Sequence, residues 1–193
     1  MAPKSRAFSR ALARVTQSEL SRGIRDGRPW PAVAKDALAT ANDGAAAKIN
    51  GASTAALLRI DADNGLLQSY HLGDSGFLLF GPDSRLAARS IPQMHAGGVP
   101  FQLAGSCRDD SIGLLSDSPS AGLASSHRLS RGQSIALLHS DGLVDNLSLD
   151  DIGSLVRKER TNIGNLSSKL AFAAISAGKK NDDITVIAIA IVH

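Results

Sequence analysis

With 193 residues, 43% of them hydrophobic and 20% charged, the chain has the length and composition of one folded domain, residues 1–193, and not of a disordered or low-complexity segment. Its net charge of +3 is spread thinly, with a mild excess at Lys4, Arg6, Arg10, Arg14 and Arg22, and neither Tyr70 nor Trp30 sits among clustered basic residues, so no nucleic-acid partner is expected. The single Cys107 excludes an intrachain disulfide or a multi-cysteine zinc site, and no apolar run reaches the roughly 18 residues of a membrane helix, so a soluble intracellular protein without membrane insertion is expected.

Two helices are predicted first, over 5–23 and 31–42. Phe8, Leu12 and Val15 share a face of the first, and Val33, Ala37, Leu38 and Ala41 share a face of the second, with Pro31 suited to a first helical turn. The basic, acid-free first 18 residues also read as an organellar transit peptide, and composition does not choose between the two. From Gly51 the period becomes that of strands: "TAALLRI" and "LLQSYHL" flank "DADNG", a hairpin signal in which Asn64 and Gly65 tolerate positive φ. "GDSG" then leads to "FLLF" and "GPDS" to "RLAAR", so four strands in an antiparallel meander are predicted.

The stretch 91–126 is rich in Gly, Ser and Pro and reads as loop with short strands. The strand "SIALLHS" ends at Asp141, and Ser148 with Asp151 forms a capping-box pattern before a short helix. A helix over 166–177 stops at Gly178. The near-continuous apolar run of "NDDITVIAIAIV" predicts a last strand covered on both faces. "NLS" at Asn146 and at Asn165 matches a glycosylation acceptor, which carries weight only in a secreted protein. The order of elements predicts an α+β domain, a layered α/β/β/α sandwich of two mainly antiparallel sheets flanked by helices.

His139, Ser140 and Asp141 are the residue types of a nucleophilic triad, but alternate strand residues face opposite sides, so Ser140 points away from the other two and the triad reading fails. The aspartates carry more information. Asp141 ends one strand, Asp182 and Asp183 begin another, and Asp74 sits in a turn between two more, so adjacent strand ends would gather carboxylates of the kind that bind Mg²⁺ or Mn²⁺. Taken singly, each Asp is better explained as a turn or helix-start residue.

"GASTAALLRI", "LGDSGFLLF", "SDGLVDN" and "NDDITVIAIAIV", in this order and spacing, resemble the metal-dependent serine/threonine protein phosphatases of type 2C over nearly the whole chain. "FSRALAR", "VPFQLAG" and "LLSDSP" resemble the branch of the T-cell activation protein phosphatase homologue and its plant and fungal organellar relatives. The resemblance implies hydrolysis of phosphoserine and phosphothreonine in phosphoprotein substrates by a water activated by two Mn²⁺ or Mg²⁺ ions. It implies Asp141 and Asp182 as metal ligands, Asp145 as a ligand of a looser third metal, and Asp74, Ser75, Gly142 and Asp183 as support beside the site. Its branch implies a mitochondrion or plastid, with the cytoplasm as the other expectation.

The family's opening "RxxxED"-like motif and its "DGxGG" motif, whose Asp bridges both metals, do not occur in this sequence; Asp26-Gly27 and Asp43-Gly44 follow no apolar strand. The chain is therefore expected to start at the family's first helix, without the first strands of the fold. The alternative reading is a non-catalytic relative that binds phosphoproteins or regulates a partner.

Overall fold

The computed structural model describes residues 3–44, 46–105 and 116–193. Cys107 and the two leucines that open "LLSDSP" lie outside them. The chain forms two compact units, one from Met1–Leu57, Tyr70–Gly73 and Pro92–Ser125, the other from Leu58–Ser69, Asp74–Ile91 and Ser126–His193.

In the first unit, α1 (Pro3–Arg25) and α2 (Trp30–Asp43) pack through the predicted apolar stripes. Phe8 and Leu12 of α1 are buried with Trp30, Ala34, Leu38 and Ala41 of α2, and Tyr70, Leu72 and Leu103 complete this core. Pro31 stands in the first turn of α2, where its missing N–H costs nothing. A two-stranded antiparallel ribbon joins β1 (Ala52–Ser53) to β6 (Leu103–Ala104). Gly73, the first residue of "GDSG", has φ +100°, and a Cβ there would lie 2.4 Å from the Phe101 carbonyl oxygen, so only glycine fits this turn.

The second unit is organised by a four-stranded antiparallel sheet in the order β5 (Leu86–Arg89), β4 (Gly76–Phe80), β8 (Gln133–His139), β9 (Val186–Val192). Strict alternation separates its faces. Leu78, Phe80, Ile135 and Leu137 pack against α3 (Asp141–Asn146), α4 (Leu149–Glu159) and α5 (Leu166–Ala177) through Leu143, Ile152, Val156, Leu166 and Leu170. Phe77, Leu79, Ala136 and Ile191 form the opposite face with Leu67 and Leu129. The capping box of α4 is present, Ser148 accepting from the Asp151 N–H while Asp151 accepts from Ser148, and α5 ends at Gly178 in the left-handed conformation.

Three expectations change. The meander is split: β2 (Ala55–Asp61) and β3 (Leu66–Leu72) belong to a three-stranded sheet with β7 (Leu123–Arg128), whereas β4 and β5 join the other, so "GDSG" is a passage between sheets. In the turn before β3 only Gly65 takes positive φ; Asn64 instead donates from its N–H and its side chain to the Asp61 carboxylate. The last strand is not covered on both faces. β9 is the sheet's edge, with Ile187 and Val192 exposed, and its run of Ile and Val reflects strand propensity more than burial.

Among the described residues no helix is long and apolar enough to cross a membrane. A cavity of about 430 Å³ in the first unit, lined by α1 residues such as Leu12 and Thr16 and by the Ser53 to Leu57 stretch, contains none of the predicted site residues.

Candidate functional site

The second unit's topology brings the predicted aspartates together. β4 and β9 both run antiparallel to β8, with Gly76 and Val186 each opposite His139, so the starts of β4 and β9 flank the end of β8. Asp74 lies just before β4, Asp141 just after β8, and Asp182 in the loop that enters β9. Asp182 and Asp183 precede that strand by several residues, so they stand in a loop and do not begin β9.

Asp141 is the first residue of α3, which places Asp145 one turn along on the same face. Among the described residues one cation lies in the middle of this group. The Lys180 ammonium lies 2.6 Å from Asp145 Oδ2, 3.4 Å from Asp141 Oδ2 and 3.9 Å from Asp182 Oδ2. Asp145, through its hydrogen bond first, and Asp141 hold the Lys180 ammonium well above the usual lysine range against the opposing effect of desolvation. Asp74 feels the same charges: burial first, then repulsion from Asp141 and Asp145, raises its carboxyl above its ordinary 3.8, against the opposing effects of its own backbone N–H and Lys180. Four carboxylates thus face one ammonium, which leaves the site net negative.

Asp141 and Asp182 share a local device. The N–H of Gly142 donates to Asp141 Oδ1 at 2.9 Å, and the N–H of Asp183 donates to Asp182 Oδ1 at 2.7 Å. In each, one oxygen is tied to the following backbone amide while the other faces the cation, an orientation fixed before any ligand arrives. Gly142 earns its place by size: its φ is not among the positive ones, and a Cβ there would fall 2.8 Å from the Asp183 carbonyl oxygen. Only glycine lets the Asp182 loop pass this close to α3.

The rest of the supposed triad is structural. Ser140 Oγ donates to the Asp183 carbonyl and accepts from the Thr185 N–H, stitching β8 to the approach of β9. His139 is buried, and burial lowers its pKa against the opposing pull of the Ser140 carbonyl and Asp141, so it stands neutral with Nδ1 donating to that carbonyl. Ser75 lies half-buried in the Asp74 turn.

Two residues of the site escape a reading of the sequence. One is Lys180. The other is Asn146, which is 1% exposed and therefore no glycosylation acceptor in the folded chain. Its amide donates to the Gly142 and Lys180 carbonyls at 2.9 and 3.0 Å, and its oxygen accepts from the Lys180 N–H at 2.8 Å. The lysine before "NDD" and an Asn closing "DGLVDN" were the available signals, but their pairing spans 34 residues of chain.

Carboxylate oxygens are the hard donors that Mg²⁺ and Mn²⁺ take, and three of them already surround a monovalent cation here, so the set fits such an ion in charge and in chemistry. Among the described residues no three His, Cys, Asp or Glu side chains meet closely enough to hold an ion by themselves. An ion held by Asp141 and Asp182 would need further oxygen ligands, such as the water that Mg²⁺ commonly keeps.

No family model matches the chain. It is similar to the protein phosphatase PTC7 homologue fig of Drosophila sechellia, with 31% identity over an alignment of 164 positions that covers 71% of this chain and 52% of the relative. The chain thus spans about half the length of the relatives it matches. Its structure is similar to that of the photosystem II phosphatase PBCP, with a TM-score of 0.77 at 20% identity over 96% of this chain and 79% of the other. It is also similar to the catalytic domain of the serine/threonine protein phosphatase PstP in complex with two manganese ions, with a TM-score of 0.59 at 18% identity over 93% of this chain and 80% of that one. The chain therefore has the α+β fold of these solved phosphatases, helices with antiparallel sheets, and is similar in sequence to the PTC7 protein phosphatase homologues.

Proposed function

We propose that this chain belongs to a metal-dependent protein serine/threonine phosphatase of type 2C and hydrolyses phosphoserine and phosphothreonine in phosphoproteins. The observation that carries this reading is the convergence of Asp141, Asp145 and Asp182 on one cation at the end of β8. Asp141 and Asp182 are the metal ligands in this reading, and Asp145 serves a third, looser ion. Mn²⁺ or Mg²⁺ supplies, when bound, a water acidic enough to attack phosphorus and a positive charge to stabilise the phosphoryl oxygens.

The chain's own residues do the positioning. The backbone amides of Gly142 and Asp183 orient the two ligand carboxylates, and Ser140 holds the Asp182 loop against β8. Asp74 and Ser75, in the turn before β4, add negative charge and support beside them. The two manganese ions of the PstP catalytic domain and the phosphatase names of the relatives support this assignment by similarity.

Purified chain given Mn²⁺ and a phosphoserine peptide is expected to release phosphate, and removal of the ion by a chelator is expected to stop release. Phosphate release at the buffer rate under both conditions would refute the activity. A second reading, a non-catalytic phosphoprotein-binding module, is favoured by one observation: the central cation is a lysine of the chain itself, with no three-ligand group among the described residues. Phosphopeptide binding without turnover would support that reading.

A further inference from the structure

We propose that Lys180 is a built-in counter-ion of this centre, which occupies the cation position until a divalent ion displaces it. The inference rests on the metal-binding reading above and adds to it a competitor supplied by the chain.

The Lys180 ammonium donates to Asp145 Oδ2 at 2.6 Å and lies 3.4 and 3.9 Å from the outward oxygens of Asp141 and Asp182, the same oxygens that the Gly142 and Asp183 amides leave free. A Mg²⁺ or Mn²⁺ ion held by those oxygens would draw on the carboxylate charge that the ammonium now partly neutralises. The ammonium and a divalent ion would compete for the negative charge of the same carboxylates and repel each other at a few Å. Binding is then an exchange in which one positive charge leaves and two arrive, a change that a net negative cluster favours.

The lysine is built to make this exchange. Its side chain is 52% exposed, so the ammonium can swing into solvent on its flexible stem without leaving water behind in a core. Its backbone does not follow, because buried Asn146 grips both the N–H and the C=O of Lys180 and ties them to α3. The released ammonium therefore stays tethered beside the site at high effective concentration and returns when the ion departs. An ordinary surface ion pair would lack both the shared oxygens and the anchored backbone. Lys180 is a positioning and competing group in this scheme, and it takes no part in the chemistry.

Calorimetric titration of metal-free full chain with Mn²⁺ tests this in wild type, Lys180→Met and Lys179→Met, with Lys180→Gln as a second variant and thermal unfolding as the check that each is folded. Lys179→Met removes the same charge one residue away. Lys180→Met and Lys180→Gln are expected to bind Mn²⁺ at least about tenfold more tightly than wild type, the scale set by one unit charge at contact distance in a partly exposed site. Lys179→Met is expected to stay within about twofold of wild type, as a screened surface charge should. Equal or weaker affinity in both Lys180 variants, with clear binding by wild type, overturns the competition and leaves the metal centre standing. Absence of Mn²⁺ binding in all four proteins overturns the metal reading and this inference with it.

Discussion

Replacing Asn146 by alanine is expected to destabilise the chain by about 2–4 kcal/mol in denaturant unfolding, among the larger losses a single substitution outside an apolar core produces. Asn146 makes three hydrogen bonds from a position that is 1% exposed, one to the Gly142 carbonyl and two to the backbone of Lys180. Alanine would leave the Lys180 N–H and two carbonyls without those partners in a place that water reaches poorly, and an unpaired buried group costs more than a made bond contributes. Asn146→Asp is not expected to rescue the loss, because a carboxylate has no N–H to give to the two carbonyls. The Asn146→Ala chain should also bind Mn²⁺ more weakly, since the loop carrying Asp182 loses its tie to the helix carrying Asp141. A stability change within about 0.5 kcal/mol of wild type, the range of a plain surface site, would contradict this account.

Asp141→Asn is expected to leave stability near wild type and to reduce Mn²⁺-dependent phosphate release by about 100-fold or more, as loss of a metal-ligating charge should. The substitution keeps an oxygen able to accept from the Gly142 N–H, so the start of α3 is preserved while the negative charge is lost. It also has a readout that does not pass through activity. Repulsion from Asp141 is the second largest cause, after burial, of the raised pKa of Asp74, so that pKa should fall back toward 3.8 in the variant. The sign of the linkage is fixed by that shift: ionised Asp74 costs the folded state stability, a cost absent below the unfolded value of 3.8 and growing as pH rises through the folded value. Carboxyl resonances followed through an acid titration measure the shift directly. An Asp74 midpoint unchanged by Asp141→Asn would show that the two carboxylates do not share a field.

The local elements were legible in the sequence because they rest on near neighbours. The capping box of Ser148 and Asp151, the left-handed stop at Gly178 and the apolar stripes of α1 and α2 depend on residues within a few positions of one another. That Asp74, Asp141 and Asp182 come together was legible for a related reason: Asp74 and Asp141 adjoin strand ends, Asp182 lies in the loop that enters β9, and antiparallel pairing fixes which ends meet. What the sequence hid was long-range. A run such as "ITVIAIAIV" has the same composition on an edge as in the middle of a sheet, so the edge position of β9 shows only in the pairing. Gly142 looked like a turn residue, but its need for glycine comes from the Asp183 carbonyl, 41 residues on, and no local rule contains that contact. Lys180 and Asn146 were hidden in the same way, because a charged residue in a polar loop and an Asn after a short helix are usually solvated.

Whether the carboxylates at the end of β8 hold a divalent cation is read from the paramagnetic broadening of backbone amide signals by Mn²⁺ in the isotope-labelled full chain. Substoichiometric Mn²⁺ is expected to erase the signals of Gly142, Asp145, Asp182 and Asp183 first, and Asp141→Asn is expected to abolish this pattern. Broadening centred elsewhere, or the same pattern in Asp141→Asn, would contradict a divalent cation there.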